Sequence, residues 1–429
     1  MTSTALLTDR YELTMVEAAL RSGAAGRRCV FEVFARRLPQ GRRFGVVAGT
    51  GRLLEAIGEF RFGDVELAAL SSVVDGATLD WLAAYRFSGE VTGYGEGEVF
   101  LPGSPILVVE ADFAQAVVLE TLVLSILNHD CAIAAAASRM VIAAQGRPCL
   151  EMGSRRTHEH AAVAAARAAY LAGFAGTSNL DAGRRYAIPT IGTAAHAFTL
   201  VHDDERAAFT AQVAVLGPGT TLLVDTYDVE QGVRTAVEVA GPELGAVRLD
   251  SGDLLDQAIA VRAQLDALGA HGTRIVVTSD LDEHAIAALA AAPVDSYGVG
   301  TSLVTGSGAP TAGLVYKLVA REGAGGELVG VAKRSLDKTS IAGRKWAMRR
   351  RVAAVATAEV IGVGHPPADT PDDGPDRPLL IPLITRGEPV GLEPLAVARE
   401  RHAASLAELP ATARQLSRGE PAIPTLLEG

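Results

Sequence analysis

The stretch AVRLDSGDLL, residues 246–255, sets Arg248 at the end of an apolar run, with Asp250 two positions on and Asp253 behind a glycine turn. A guanidinium stays charged in every environment and grips carboxylates or phosphates through a fork of donors. Aspartates beside it could hold sugar hydroxyls or a Mg²⁺ that bridges phosphates. Asp253 and Asp228 also stand where helix caps belong. In IGTAAHAF, His196 follows a strand-like run and a turn; an imidazole there can be a base, a phosphoryl acceptor or a hydrogen-bonded core residue. In GVGTSLVTGSGAP, Gly298, Gly300 and Thr301 precede a helix-like stretch, a pattern that suits a phosphate on backbone N–H groups and equally a tight turn. His158 and His160 show no zinc spacing, and no HExxH occurs.

These residues must be brought together by the elements that carry them. After a helical region at 114–144, short apolar runs recur: PCLEM, FAGTS, PTIGT, TLLVD, GAVRL, RIVVT and DSYGVG. Between most of them lie helix-patterned stretches such as THEHAAVAAARAAYLAG and LLDQAIAVRAQLDALG. Strand–helix alternation of this kind predicts parallel strands with crossover helices, an irregular parallel α/β barrel of about seven strands. Polar residues gather at the C-terminal ends of the runs: Arg155, Arg156, Thr177, Ser178, Asn179, Thr193, His196, Asp225, Arg248, Asp250, Thr278, Ser279, Asp280, Gly300 and Thr301. A barrel delivers all these ends to one rim. Arg248 can then bury its stem while its head faces a shared pocket.

The 429 residues exceed a usual single domain. The expected division is a mixed α+β N-terminal domain over 1–113, a helical entry plus catalytic barrel over 114–350, and a C-terminal segment 351–429 that packs back on the first. The overall class is α/β. With 39 Lys+Arg against 50 Asp+Glu, the net charge of −11 disfavours nucleic acid or anionic membrane as partners. The only lysines are Lys317, Lys333, Lys338 and Lys345. The basic segment KRSLDKTSIAGRKWAMRR, 333–350, is a candidate phosphate-reaching arm, or else a solvated hairpin face. Three cysteines without a CxxC argue against a disulfide framework and fit a reducing cytoplasm. No export signal opens the chain. The apolar stretch 114–128 is interrupted by Glu120 and reads as a buried helix, too short for a membrane span.

Six motifs in order, LLTDRYELTM, EMGSRRTHE, GTSNLDAGRRYAIPTIGTAAHAF, VRLDSGDL, YGVGTSLVT and KRSLDKTSIAGRKW, resemble those of the nicotinate phosphoribosyltransferase family, from residue 7 to about 350. The resemblance implies that nicotinate is joined to 5-phosphoribosyl-1-pyrophosphate (PRPP), giving nicotinate mononucleotide and pyrophosphate for NAD salvage. ATP hydrolysis would be coupled through a phosphohistidine, with Mg²⁺ as cofactor. On this resemblance His196 is the phosphorylated residue, and Asp250 is catalytic. Arg248 would pair with the nicotinate carboxylate, with Thr193 beside it and Tyr11 closing the ring pocket from the neighbouring subunit of a homodimer. Met152 stands where related enzymes often carry an aromatic, so a thioether would replace ring stacking. Arg155, Asp280, Gly298, Gly300 and Thr301 would serve PRPP. The metal ligands are left unassigned.

The chemistry of the residues agrees with that reaction. Nicotinate is anionic at neutral pH, so a fixed guanidinium recognises it as it cannot recognise nicotinamide. Loss of pyrophosphate from the ribose C1 builds positive charge that carboxylates stabilise, and the leaving group calls for arginines and Mg²⁺. The competing readings are a phosphoribosyltransferase for nicotinamide or quinolinate, a metal-dependent barrel lyase or aldolase, and an inactive binding protein of the same fold. No lysine precedes residue 317, which removes most Schiff-base options.

Overall fold

The computed structural model describes residues 3–333, 340–367 and 376–428. The chain divides into two compact units, one formed by Met1–Ala135 with Ala309–Gly429 and the other by Ala136–Gly308. Residues 309–350, which the sequence assigns to the barrel, therefore group with the terminal segments. The reason is hydrogen bonding: the strand Leu314–Glu322 pairs antiparallel with Arg28–Ala35 along its length.

In the first unit, a seven-stranded sheet places Arg28–Ala35 between Leu314–Glu322 and Leu107–Asp112. The strand Arg28–Ala35 is buried at all but its first residue, so both of its faces are covered. Phe31 stacks on Tyr316 with centroids 4.8 Å apart, and the Tyr316 hydroxyl donates to the Ala116 carbonyl at 2.9 Å. A four-stranded sheet joins Asp376–Pro378, Lys345–Val352, Val355–Val363 and Thr425–Glu428.

The described part of the basic segment is neither a free arm nor a solvated face. Lys345 is buried against Glu32 at 2.5 Å, Arg344 pairs with Glu110, and Arg350 with Asp376 at 3.0 Å. Arg349 is fully buried, 2.9 Å from Glu359. Burying a guanidinium requires such a carboxylate, because the unpaired charge would cost several kcal/mol (~3–5 from broken-pair measurements). Residues 334–339, with Lys338, lie outside the described residues.

The helical region Phe113–Ala144 is 32 residues long and apolar enough to cross a bilayer, contrary to the shorter reading. Length therefore excludes nothing, and burial decides: 67% of its most apolar window lies inside the fold, as in a core helix.

In the second unit, six parallel strands follow the order Gly176–Thr177, Cys149–Glu151, Ser296–Val299, Arg274–Val277, Ala246–Leu249, Thr221–Leu223. The helices Glu159–Leu171, Leu180–Tyr186, Glu205–Leu216, Val229–Ala240, Leu254–Ala267 and Glu283–Ala288 alternate with them. Ala246–Leu249 is buried throughout, as both-face coverage of a parallel sheet demands. The sheet is a curled, open half-barrel and not a closed barrel of seven strands. The remaining run, PTIGT, contributes a single bridge, Thr190 to Thr177. Pro189 has no N–H to extend the ladder and Gly192 lies two residues past the bridge, so pairing stops after one residue.

Candidate active site

The C-terminal ends of these strands open into a cleft of about 520 Å³ within the second unit. Met152, Arg155, Thr193, His196, Arg248, Asp250, Asp280, Gly298, Gly300 and Thr301 all line it. Ten candidates from five separate sequence stretches are thus brought together. Tyr11 is not among the lining residues; it belongs to the first unit, on the helix Arg10–Ser22, and is 47% exposed.

Arg248 is the last residue but one of the strand Ala246–Leu249, and its side chain is only 11% exposed. Its Nη1 donates to Thr193 Oγ1 at 2.7 Å and to the Ala194 carbonyl at 3.1 Å. Nη2 lies 3.6 Å from Asp250 Oδ2. The guanidinium is thereby fixed in plane on one edge, and an anion can approach the remainder. Asp250 is itself held, because the Thr278 hydroxyl donates to its Oδ1.

His196 is the first residue of the short helix His196–Leu200 and remains 38% exposed at the side chain. Its Nδ1 is 3.1 Å from Thr226 Oγ1. That contact turns Nε2 toward two carboxylates, each at 3.8 Å: Asp225 Oδ1 and Asp250 Oδ2. Asp225 is almost fully buried; its Oδ2 accepts from the Asp250 backbone N–H at 2.9 Å and the Ser251 hydroxyl at 2.8 Å. Asp225 Oδ1 is buried without a hydrogen-bond partner.

Other candidates resolve differently. Asp253 caps the helix Leu254–Ala267 and Asp228 caps Val229–Ala240, so both side chains serve the backbone. His158 caps Glu159–Leu171 by accepting from the His160 N–H at 3.3 Å. Gly298 has a packing reason to be glycine, since a Cβ there would lie 2.5 Å from Thr278 and 2.8 Å from Met152 Sδ. The Met152 thioether thus lies close against that backbone and faces the cleft. Arg155 and Arg156 sit on the 3₁₀ turn Ser154–Arg156, none of whose three residues is buried, and both line the cleft.

One residue was missed, and another, Ser279, was placed at the rim without its backbone strain. Thr226, which orients His196, is one polar residue among several in VDTYD, with nothing to distinguish it before the fold is known. Ser279 lines the cleft with φ at +119°, a conformation L residues rarely adopt and one that collects at functional sites.

Residues 6–128 match the family described as the nicotinate phosphoribosyltransferase N-terminal domain, and 148–355 match the nicotinate phosphoribosyltransferase family. Nicotinate phosphoribosyltransferase pncB1 of Mycobacterium tuberculosis is 60% identical over 430 residues, covering 98% of this chain and 94% of that protein. The human nicotinate phosphoribosyltransferase is 33% identical over 414 residues, covering 80% of this chain and 76% of that one. The crystal structure of human nicotinic acid phosphoribosyltransferase superposes with a TM-score of 0.83 at 27% identity, covering 98% and 97% of the two chains. The chain belongs to the nicotinate phosphoribosyltransferase family.

Proposed function

We propose that this enzyme joins nicotinate to the ribose of PRPP in the Arg248–His196 cleft, and couples the reaction to ATP hydrolysis through His196. The pyridine nitrogen attacks C1 of PRPP; the C1–O bond breaks and its electron pair leaves with pyrophosphate. Arg248, clamped by Thr193 and Asp250, holds the nicotinate carboxylate so that the ring nitrogen faces the ribose. Asp250 stabilises positive charge as it develops at C1. Arg155, Asp280, Gly300 and Thr301 receive the phosphates and ribose of PRPP. Thr226 holds Nδ1 of His196, leaving Nε2 to accept the γ-phosphoryl group of ATP with release of ADP; water later takes the phosphoryl group as inorganic phosphate.

The donor set fits Mg²⁺. The metal binds through one or two carboxylates and substrate phosphates; Asp250 lines the cleft, and the unpartnered Oδ1 of Asp225 is buried behind it, 3.8 Å from His196 Nε2. Among the described residues no three His, Cys, Asp or Glu side chains are grouped to hold a metal by themselves, so the phosphates must complete the site. Asp225 and Asp250 would hold the ion, and when bound it would offset the charge of the leaving pyrophosphate.

One observation carries this reading: His196 Nε2 stands 3.8 Å from Asp250, the same carboxylate that lies 3.6 Å from the Arg248 guanidinium. Phosphoryl transfer and nicotinate recognition therefore meet at one side chain. The supporting comparison is the 60% identity to a nicotinate phosphoribosyltransferase. The test is incorporation of labelled γ-phosphate from ATP into the protein. We expect one acid-labile phosphate per chain, absent from His196→Ala; label retained by that variant overturns the phosphohistidine.

A homodimer in which Tyr11 completes the neighbour's ring pocket belongs to the same proposal, as does a cytoplasmic setting. Cys29, Cys131 and Cys149 are free and buried, consistent with a reducing compartment.

A further inference from the structure

Glu151 closes the strand Cys149–Glu151 and is fully buried. Among the described residues it forms no ion pair with a cation. Instead its Oε1 accepts from the Gly153 N–H and its Oε2 from the Thr177 hydroxyl. Thr177 Oγ1 in turn accepts from the Asn179 N–H at 2.9 Å, and Asn179 Nδ2 donates to Ser154 Oγ at 3.1 Å. The loop closes on itself. The turn 152–156, which carries Met152 and Arg155, is tied to the next strand end by one carboxylate and one amide. Backbone bonds hold the turn's entry, with the Met152 N–H on the Val299 carbonyl at 2.8 Å and the Ser178 N–H on the Glu151 carbonyl at 2.8 Å. Beyond that entry, the Glu151 carboxylate holds Gly153 and the Asn179 amide holds Ser154. A Cβ at Gly153 would collide with the Val304 side chain, so the turn packs closely there.

Burial pushes the Glu151 acid up, and its two donors oppose the shift. A buried carboxylate without a cation costs more than an apolar residue of the same volume. Packing against the neighbouring strands would be served as well by an apolar side chain. Of the two groups that Glu151 holds, Gly153 lies in the 152–156 turn and Thr177 ends the strand Gly176–Thr177, and Met152, Arg155 and Ser178 beside them line the cleft.

We propose that Glu151 is a positioning residue, which through Gly153 and Thr177 holds the 152–156 turn so that Arg155 meets PRPP in a single geometry. The inference rests on the reading of Arg155 as a PRPP ligand. Removing one tie leaves a buried donor unsatisfied and lets the turn move, which weakens PRPP binding by about tenfold.

The experiment is a calorimetric double-mutant cycle on the full chain, reading the PRPP Kd without need of turnover. Wild type, Glu151→Gln, Arg155→Ala and the double variant are compared, with melting temperature measured alongside. The expected result is a rise of about tenfold in Glu151→Gln that disappears when Arg155 is already alanine. Thr177→Val should copy the effect and Thr177→Ser should restore wild-type binding, a pair that also decides the matter if Glu151→Gln does not fold. An unchanged Kd in both Glu151→Gln and Thr177→Val, or effects that multiply in full on Arg155→Ala, overturns the proposal. So does an Arg155→Ala variant that binds PRPP like wild type. Nicotinate mononucleotide formation, assayed separately, tests the proposed function, so the two failures remain distinct.

Discussion

Thr193 accepts a hydrogen bond from Arg248 Nη1 at 2.7 Å, across 55 residues of sequence. The hydroxyl fixes the guanidinium edge that a ligand does not need. Arg248→Ala should raise the nicotinate KM by about 30- to several-thousand-fold, the ~2–5 kcal/mol of a desolvated charge pair, with the PRPP KM nearly intact. Thr193→Val should raise it by about tenfold only, since the cation stays and its orientation loosens. Steady-state kinetics in both substrates checks the pair.

His196→Ala and His196→Asn should lose ATP hydrolysis and keep a slow, ATP-independent synthesis of nicotinate mononucleotide. Arg248 and the PRPP ligands remain in both variants, so binding and orientation survive while the phosphoryl acceptor is gone. Phosphate release and nucleotide formation, measured on the same samples, separate the two activities. Wild-type coupling in either variant moves the phosphoryl acceptor elsewhere.

Much of the cleft could be read before any fold was known, because strand–helix alternation puts every strand's C-terminal end on one side. Arg248, Asp250, His196 and Gly300 needed only that rule to be placed together. The closure of the barrel could not be read the same way. PTIGT has the composition of a strand, yet Pro189 limits it to one bridge, and a proline's effect on pairing depends on which edge faces a partner. Arg349 and Lys345 were opaque for another reason: their carboxylates, Glu359 and Glu32, sit on other strands, and a basic run shows its charge but not its neighbours. Glu151 carries no signature at all until Thr177 and Gly153 are seen around it.

Two individually inactive variants, Tyr11→Ala and His196→Ala, should regain partial activity when assembled into mixed dimers, since Tyr11 completes a neighbour's pocket in this account. Tyr11 lies on a helix whose first turn is anchored through its neighbour: the buried Glu12 carboxylate accepts from the Thr121 N–H at 2.9 Å. No activity in verified mixed dimers would remove Tyr11 from the neighbour's site.

Acid stability should report His402. Its ring is 3% exposed, and burial lowers it from 6.5 to about 4. The unfolded chain then takes up a proton below pH 6.5 that the folded chain refuses, so this residue's contribution is present at neutral pH. It is lost as pH falls from 6.5 toward 4, by about 3 kcal/mol in all. Denaturant titrations across that window should show a shallower slope for His402→Gln than for wild type.

If Arg248 makes this cleft a nicotinate site, selectivity against the uncharged amide must depend on its guanidinium. The direct measurement is the ratio of kcat/KM for nicotinate to that for nicotinamide, with PRPP saturating, in wild type and in Arg248→Ala. The expected result is a wild-type preference for nicotinate of at least about a hundredfold, the ~3 kcal/mol of a charge-assisted pair, collapsing toward unity in the variant. A wild-type enzyme that uses the two substrates equally, or a variant that keeps the full preference, would contradict it.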